Sequence, residues 1–316
     1  MSGRRVVILF NPISGSGRAA RVADDVRAAL AACGHDAALV PTRREPAATW
    51  MPAALADRDV AVIVGGDGAV HLTAPWAAAA NVPIYHCPAG TENVFARALG
   101  KSSSPSAVVA AIERGATRQV DLGEIEGEAF VLMASAGFDA DVVHRLAARR
   151  RASIRHVSYV PPLLHATCWW RGPDVAISVD GAAPVELGRG LVIVATMAEY
   201  ALRLNPARGA LDDDGLLDAV FLPCRSGLGA LGWALRLRAS RGPLAGAWRA
   251  RGRRFAVMLD RPVLWQCDGD PFGPAGAAAR DTVTIGVSDR RLRILLPAPS
   301  ETGRTGASSG RPPKKP

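Results

Sequence analysis

The segment Val60-Ala61-Val62-Ile63-Val64-Gly65-Gly66-Asp67-Gly68 is the part of the chain around which the fold is organised. A short apolar run rich in β-branched residues, followed by three glycines and one aspartate, predicts a buried strand that ends in a tight loop. In open α/β sheets ligands bind at the carboxyl ends of strands, and glycines there let backbone N–H groups approach a phosphate. The segment therefore indicates a phosphate site, although Gly-Asp-Gly is also ordinary turn chemistry.

Two further segments have the same form. The apolar run 6–10 ends in Asn11-Pro12-Ile13-Ser14-Gly15-Ser16-Gly17, and the run 82–87 ends in Pro88-Ala89-Gly90-Thr91-Glu92-Asn93. Each loop is followed by sequence with helical spacing, as in Arg18 to Ala32. Three predicted strands thus end in loops of small residues that lead into predicted helices.

In order and spacing, these three loop segments resemble the nucleotide-binding motifs of the diacylglycerol kinase catalytic domain family, which also contains sphingosine, ceramide and bacterial lipid kinases. The resemblance continues to near residue 297. It implies an α/β protein of two domains, with a doubly wound nucleotide-binding domain at 1–123 and a β-sandwich lipid-binding domain at 124–299. In this division the last strands of the second domain can return to the sheet of the first domain. Residues 300–316 are expected to form a disordered tail.

Composition agrees with a second half rich in strands. From about residue 124 onward, short apolar runs alternate with glycine, proline and aspartate, which is typical of β structure. The chain of 316 residues is long enough for two cores.

The resemblance assigns a set of residues to ATP. Thr42 could equally be a solvated loop or N-cap residue, and His71 could be a surface or capping histidine. The residues assigned to the nucleotide are Asn11, Pro12, Ser14, Gly15, Thr42, Gly65, Gly66, Asp67, Gly68, His71, Thr91 and Asn93.

The catalytic acids are expected near the end of the chain. The segment Trp265-Gln266-Cys267-Asp268-Gly269-Asp270 resembles the family's Q-x-D-G-E element, whose second acid is taken as the base that accepts the proton of the substrate hydroxyl. The resemblance thus gives this role to Asp270 and secondarily to Asp268, while Asp67 helps to organise metal and water. Asp-Gly between apolar runs is also a hairpin signal, and both interpretations can hold together.

Two acidic elements are candidates for Mg²⁺. Asp121 resembles the aspartate of the family's V-D-x-G element, which belongs to a water and Mg²⁺ network, and a strand-end turn is the alternative. In the acidic loop of residues 211–218, the family's structural Mg²⁺ would map onto Asp214 and the carbonyls of Leu211 and Leu216. A plain acidic β-turn is the alternative there. ATP and Mg²⁺ are the expected cofactors.

Net charge and cysteine content indicate which partners and which cellular location to expect. The formal net charge of +9 attracts ATP, acidic lipid headgroups and nucleic acid, but no nucleic-acid motif is present. The stretches 145–171 and 225–254 combine Trp with many Arg, which suits contact with an anionic membrane surface. We expect part of each stretch to form helices that cover the second domain and the rest to make peripheral contact with the membrane that holds the lipid substrate. Five widely spaced cysteines without a Cys-x-x-Cys pair favour reduced thiols and a cytoplasmic location. No apolar run is long enough to span a membrane.

The leading hypothesis is an ATP-dependent lipid kinase. Ala69 and Leu72 depart from the family's common Thr and Glu, and they motivate the alternative of a nucleotide-binding regulatory protein with impaired catalysis. An NAD kinase-like enzyme is a further alternative, since such enzymes share the Gly-Gly-Asp-Gly loop.

Overall fold

The computed structural model describes residues 3–148, 156–240, 244–273 and 280–297. Strands and helices alternate in the first half. They are β1 Arg5–Phe10, α1 Arg18–Ala32, β2 Asp36–Pro41, α2 Met51–Leu55, β3 Val60–Gly65, α3 Asp67–Ala79, β4 Ile84–Pro88, α4 Val94–Ala98, α5 Pro105–Arg114 and β5 Thr117–Ile125.

Strands predominate in the second half. The elements are β6 Glu128–Phe130, β7 Met133–Ala136, α6 Phe138–Ala148, α7 Val160–Trp169, β8 Asp174–Val179, β9 Val185–Ala195, β10 Leu217–Pro223, α8 Gly227–Ala239, β11 Trp248–Gly252, β12 Arg254–Val263, β13 Trp265–Cys267, β14 Asp270–Pro271 and β15 Arg280–Leu295.

The first half is built on a parallel sheet in the order β2-β1-β3-β4. All six residues of β3 are buried, because helices cover both faces of the sheet. The loops after β1, β3 and β4 therefore leave the sheet at one edge. This edge is where the sequence places the nucleotide.

The second half encloses a separate apolar core between two groups of strands. Phe255 and Val257 of β12 and Ile285 of β15 contribute to this core from one side, and Val192 and Val194 of β9 from the other. Strand β9 pairs with β8 through its first residues and with β7 and β10 through its last ones, so it belongs to both groups. The predicted fold class, an α/β domain followed by a β-rich domain, is confirmed by this architecture and by the solved structures described below.

The last strand connects the two halves. β15 pairs antiparallel with β12 and β5, and Ile294 near its end pairs parallel with Ile84 of β4. The carboxyl end of the described chain thus lies in the sheet of the first half. The division at residue 123 stays a prediction, and the predicted tail 300–316 lies outside the described residues.

The predicted bounds of individual helices and strands can be compared with the structure. The helix predicted from Arg18 to Ala32 is confirmed at both ends. The apolar runs 282–287 and 292–296 predict two final strands, but 280–295 form one strand with an irregularity between Val287 and Arg291. The irregularity lets one strand serve two sheet regions.

Candidate active site

Three loops meet at the edge of the first sheet, and their glycines make the contact possible. A Cβ on Gly90 would lie 2.4 Å from the Cα of Gly66, and a Cβ on Gly15 would lie 2.5 Å from the carbonyl oxygen of Ala89. The Ser14 hydroxyl also donates to that carbonyl, at 3.4 Å. Backbone therefore packs directly on backbone, which a side chain at Gly66 or Gly90 would prevent.

Asp67 holds two of these loops together. Its carboxylate accepts hydrogen bonds from the amides of Val94 and Phe95, each at 2.9 Å, so it satisfies the first amides of α4 from across the site. Asn93 is in the left-handed region with φ +48°, and its side chain bonds both the N–H and the carbonyl of Gly90. Asp67 and Asn93 thus fix the shape of the loop edge.

A buried histidine of the neighbouring strand contacts the start of the glycine loop. His86 in β4 is fully buried, and its Nε2 lies 3.0 Å from the carbonyl oxygen of Gly65. Burial lowers the pKa of His86 against the raising effect of the Asp67 charge and the Gly65 hydrogen bond. A neutral imidazole that donates to Gly65 follows from this. The sequence offered only a histidine inside an apolar strand, so no role was predicted for it.

The second half contributes Asp270 to this edge. An Oδ2 atom of Asp270 lies 3.1 Å from the position that a Cβ on Gly68 would occupy. The half-buried carboxylate is thus in contact with the start of α3, whose positive end favours negative charge. Glycine at position 68 leaves the space that the acid needs.

Asp268 is held by several hydrogen bonds. Its carboxylate accepts from the amides of Val131, Leu132 and Met133 at 2.7, 2.7 and 2.9 Å. It also lies 2.9 Å from Nδ1 of His71 on α3. Asp268 therefore fixes the turn of the second half to the helix of the first. Both of its oxygens already have partners.

His71 is positively charged in this arrangement. Burial alone lowers its pKa, but the hydrogen bond and charge of Asp268, with the charges of Asp270 and Glu128, raise it to about 9. Its side chain is 17% exposed, so the pair is largely shielded from water. His71 thus serves as the cationic partner of the acid turn 268–270.

The pH dependence of stability follows from this pair. The folded pKa of His71 is about 9, above the usual value of 6.5, so the contribution is complete below pH 6.5 and is lost as pH rises through about 9. We expect the free energy of unfolding to fall over that interval in urea titrations, by roughly 1–3 kcal/mol. In His71→Gln the fall should be absent. An unchanged profile in that variant would contradict the assignment.

A buried polar network surrounds the same turn. Asp139 at the start of α6 accepts from the hydroxyls of Tyr200 and Ser135 at 2.6 and 2.5 Å. Gln266 donates to the Ser135 hydroxyl, and its side-chain oxygen accepts from the amide of Gly269 at 2.8 Å. The network braces the turn that carries Asp268 and Asp270. Residues 137–140 of the sequence read Gly-Phe-Asp-Ala, but a single aspartate in such a segment does not reveal these contacts.

The acidic loop and Asp121 lie together, but arginines occupy their carboxylates. Asp121 is buried, accepts from the amide of Gly215 at 2.7 Å and is paired with Nε of Arg291 at 2.8 Å. Asp212 makes two bonds to Arg118, at 2.7 and 2.6 Å. Asp214 is paired with Arg251 and also accepts from the amide of Leu216.

These contacts do not fit a Mg²⁺ ion in the loop. The three carboxylates are already neutralised by guanidinium groups, and Mg²⁺ needs free oxygens in near-octahedral geometry. Over the described part of the chain, no group of three or more His, Cys, Asp or Glu residues is arranged to hold a metal. The metal roles of Asp121, Leu211, Asp214 and Leu216 stay predictions, and no chemical step is derived through them.

Arg291 is expected to stabilise the fold through Asp121. In Arg291→Ala the buried Asp121 carboxylate loses its charged partner, and we expect the free energy of unfolding to fall by roughly 2 kcal/mol, since Arg291 is partly exposed. Urea unfolding measures this loss. Arg290→Ala is the matched control, because Arg290 is an exposed neighbour. Equal losses in the two variants would show that the pair contributes nothing.

The remaining predicted residues lie at or near the loop edge. Thr42 follows β2, where its amide bonds the carbonyl of Phe10 at 2.8 Å, and Pro12 and Thr91 are exposed on their loops. Leu72, one of the departures from the family, packs against an apolar cluster to which both halves of the chain contribute. An apolar residue at position 72 therefore has a packing role in α3.

Residues 5–125 match the model of the diacylglycerol kinase catalytic domain. A Mycobacterium tuberculosis protein named diacylglycerol kinase is 29% identical over 222 residues, which are 68% of this chain and 72% of that protein. A Pseudomonas fluorescens protein named "Probable lipid kinase YegS-like" is 27% identical over 257 residues, covering 75% and 77% of the two chains. The resemblance to the diacylglycerol kinase catalytic domain family is confirmed.

Solved structures agree on the fold. A Bacillus anthracis structure covers 94% of this chain and 98% of its own, with a TM-score of 0.73 and 18% identity. Another, described as a diacylglycerol kinase of the same organism, covers the same shares with a TM-score of 0.67 and 17% identity. In the part of this chain that the structure describes, no helix is long and apolar enough to cross a membrane.

Proposed function

We propose that the protein is an ATP-dependent lipid kinase that transfers the γ-phosphate to a lipid hydroxyl. The observation that carries the proposal is the contact between Asp270 and Gly68, because it brings an acid of the second half against a glycine loop of the first. Phosphoryl transfer needs little covalent chemistry from a protein. Positioned phosphates and an aligned, deprotonated hydroxyl are sufficient.

The loop edge would supply the phosphate site. The loops of residues 11–15 and 65–68, with Thr91 and the loop held by Asn93, would line the nucleotide, and the start of α3 favours negative charge there. Asp67 would act through its bonds to Val94 and Phe95, which keep two of these loops in place. His71 would act as the partner of Asp268.

Asp270 would accept the proton of the lipid hydroxyl. Both oxygens of Asp268 are held by backbone amides, with His71 adding a further partner, so Asp268 is better suited to positioning the turn. A base must reach the proton that it abstracts, and Asp270 faces the glycine loop from the opposite domain. A lipid between the two halves would then meet ATP at this point.

Mg²⁺ would enter with the nucleotide. This ion usually keeps several waters and is bound through substrate phosphates and one or two carboxylates, so a site made by protein alone is not required. Asp270 is the carboxylate that faces the glycine loop at Gly68, and Asp67 is the residue of that loop directly before Gly68. When bound, the ion would neutralise charge on the transferring phosphoryl group.

The test is transfer of labelled γ-phosphate from Mg·ATP to a panel of lipids in mixed micelles. The panel would include diacylglycerol, a sphingoid base, a polyprenol and phosphatidylglycerol, and NAD would be tested beside it as a soluble acceptor. We expect one class to be labelled by the wild type and not by Asp270→Ala. Labelling of no lipid by a preparation that still binds ATP would favour the regulatory alternative, and labelling of NAD would favour the NAD kinase-like one.

A further inference from the structure

Helices α7 and α8 pack against each other and carry a high proportion of the exposed apolar side chains. Among the described residues, most of the large hydrophobic side chains that are strongly exposed lie on these two helices, with Leu228 at 70% and Trp169 at 69%. Exposed apolar patches of this kind mark interaction sites. The exposed members on the two helices are Val160, Leu163, Leu164, Trp169, Leu228 and Leu235.

Close backbone packing keeps these helices side by side. A Cβ on Gly227 would lie 2.4 Å from the carbonyl oxygen of Ala166 and 2.5 Å from that of Thr167. The segments that follow α7 and precede α8 are also joined, because the amide of Gly172 donates to the carbonyl of Arg225 at 3.2 Å. The junction brings Arg171 and Arg225 to the same place.

A cavity of about 490 Å³ opens at this junction. Arg189 in its wall is paired with Asp174 at 3.2 Å, and Arg171 donates to the carbonyls of Cys168 and Trp170. Arg225 is exposed, and its guanidinium makes no hydrogen bond or ion pair with any residue that the structure describes. The lining consists of Thr167, Cys168, Arg171, Arg189, Arg225, Ser226 and Leu228.

The two stretches of sequence that contain α7 and α8 are basic, and the acid at the cavity wall, Asp174, is paired with Arg189. No Asp or Glu occurs from 142 to 173 or from 219 to 259, whereas both stretches contain several arginines. A cavity with an available guanidinium, set beside exposed Leu and Trp, is complementary to a phosphate that is attached to an acyl chain. Arginine is also suited to bidentate binding of phosphate oxygens.

We propose that the cavity of Arg171, Arg189 and Arg225 binds the headgroup phosphate of an anionic membrane lipid while the exposed side chains of α7 and α8 enter the lipid surface. The biological role of this docking rests on the proposed lipid kinase function, because docking would present a membrane-bound substrate to the cleft. The binding itself requires no catalysis. It can therefore be measured separately.

The experiment is cosedimentation of the full chain with vesicles of phosphatidylcholine, with and without phosphatidylglycerol. We expect the wild type to prefer the anionic vesicles, and Arg225→Glu to weaken that binding about tenfold, since each basic group near an anionic surface contributes several-fold. Arg21→Glu is the matched control, because it makes the same charge change at an exposed position on α1. It should change binding far less.

A second pair of variants tests the apolar part. Leu228→Ser is expected to weaken binding about tenfold, because a large exposed side chain no longer enters the apolar phase. Val185→Ser, at another exposed apolar position on β9, should have little effect. Equal losses for Arg225→Glu and Arg21→Glu would reduce the effect to net charge and overturn the proposal, as would unchanged binding in both Arg225→Glu and Leu228→Ser.

Kinase activity on a short-chain form of whichever lipid the panel identifies, used below its micelle concentration, separates this proposal from the previous one. Arg225→Glu should retain wild-type turnover of the dispersed lipid while losing activity on vesicles. Loss of turnover on the dispersed lipid would place Arg225 in the catalytic site instead and overturn the docking role. A wild type that phosphorylates no lipid but sediments as expected would contradict the proposed function and leave the docking surface supported.

Discussion

Replacing Asp270 by Asn should reduce the turnover number for lipid phosphorylation by about 10²–10⁴-fold, the usual contribution of a positioned general base. The amide has nearly the same shape as the carboxylate but cannot take up the hydroxyl proton. The site around it should otherwise persist, because Gly68 leaves space for either group. The measurement is the initial rate of labelled phosphate transfer at saturating ATP and lipid.

The controls for this variant come from the same chain. Asp289→Asn makes the same chemical change at an exposed position and should leave the rate unaltered. Asp270→Glu restores a carboxylate with one additional methylene group, as in the family's usual element, and should recover much of the activity. Substantial turnover in Asp270→Asn, with ATP binding intact, would remove Asp270 from the role of base.

Replacing Asp268 by Ala should lower the free energy of unfolding by about 3–5 kcal/mol, as is typical when one partner of a buried charged pair is removed. The variant leaves the amides of Val131, Leu132 and Met133 and the ring of His71 without their acceptor. Each unsatisfied buried donor costs about 1–3 kcal/mol. Urea unfolding measures the loss.

A milder variant keeps the prediction open to test if Asp268→Ala does not fold. Asp268→Asn retains one acceptor oxygen, so its loss should be smaller, but it removes the charge that raises the pKa of His71. Its stability should then decline less between pH 6.5 and about 9 than that of the wild type. A loss in Asp268→Ala no larger than in Asp289→Ala would contradict the anchoring role.

The sequence motif predicted the position of Asp268 but not its contacts. The resemblance placed Asp268 and Asp270 in one element and ranked Asp270 first as the base. It gave no reason for the different surroundings of the two acids. That difference comes from Val131 to Met133 and from His71, which lie far from the turn in sequence and meet it only in the folded chain.

In the acidic loop of residues 211–218, the sequence motif predicted a cation site, whereas the folded chain supplies arginine partners to the aspartates. Its aspartates indicated a cation site, because carboxylates at short spacing suit Mg²⁺. In the folded protein the cations at hand are Arg118, Arg251 and Arg291, from three separate strands. Charge partners across strands depend on sheet register, which local sequence does not specify.

The sequence by itself determined the local features of this protein. Apolar runs followed by loops that contain glycine predicted strands β1, β3 and β4, since backbone conformation there depends on residue type at each position. The tertiary structure alone decided which distant groups meet, such as Asp67 with α4, Asp270 with Gly68, and Gly172 with Arg225. These contacts join residues far apart in the chain, and only long-range packing brings them within reach.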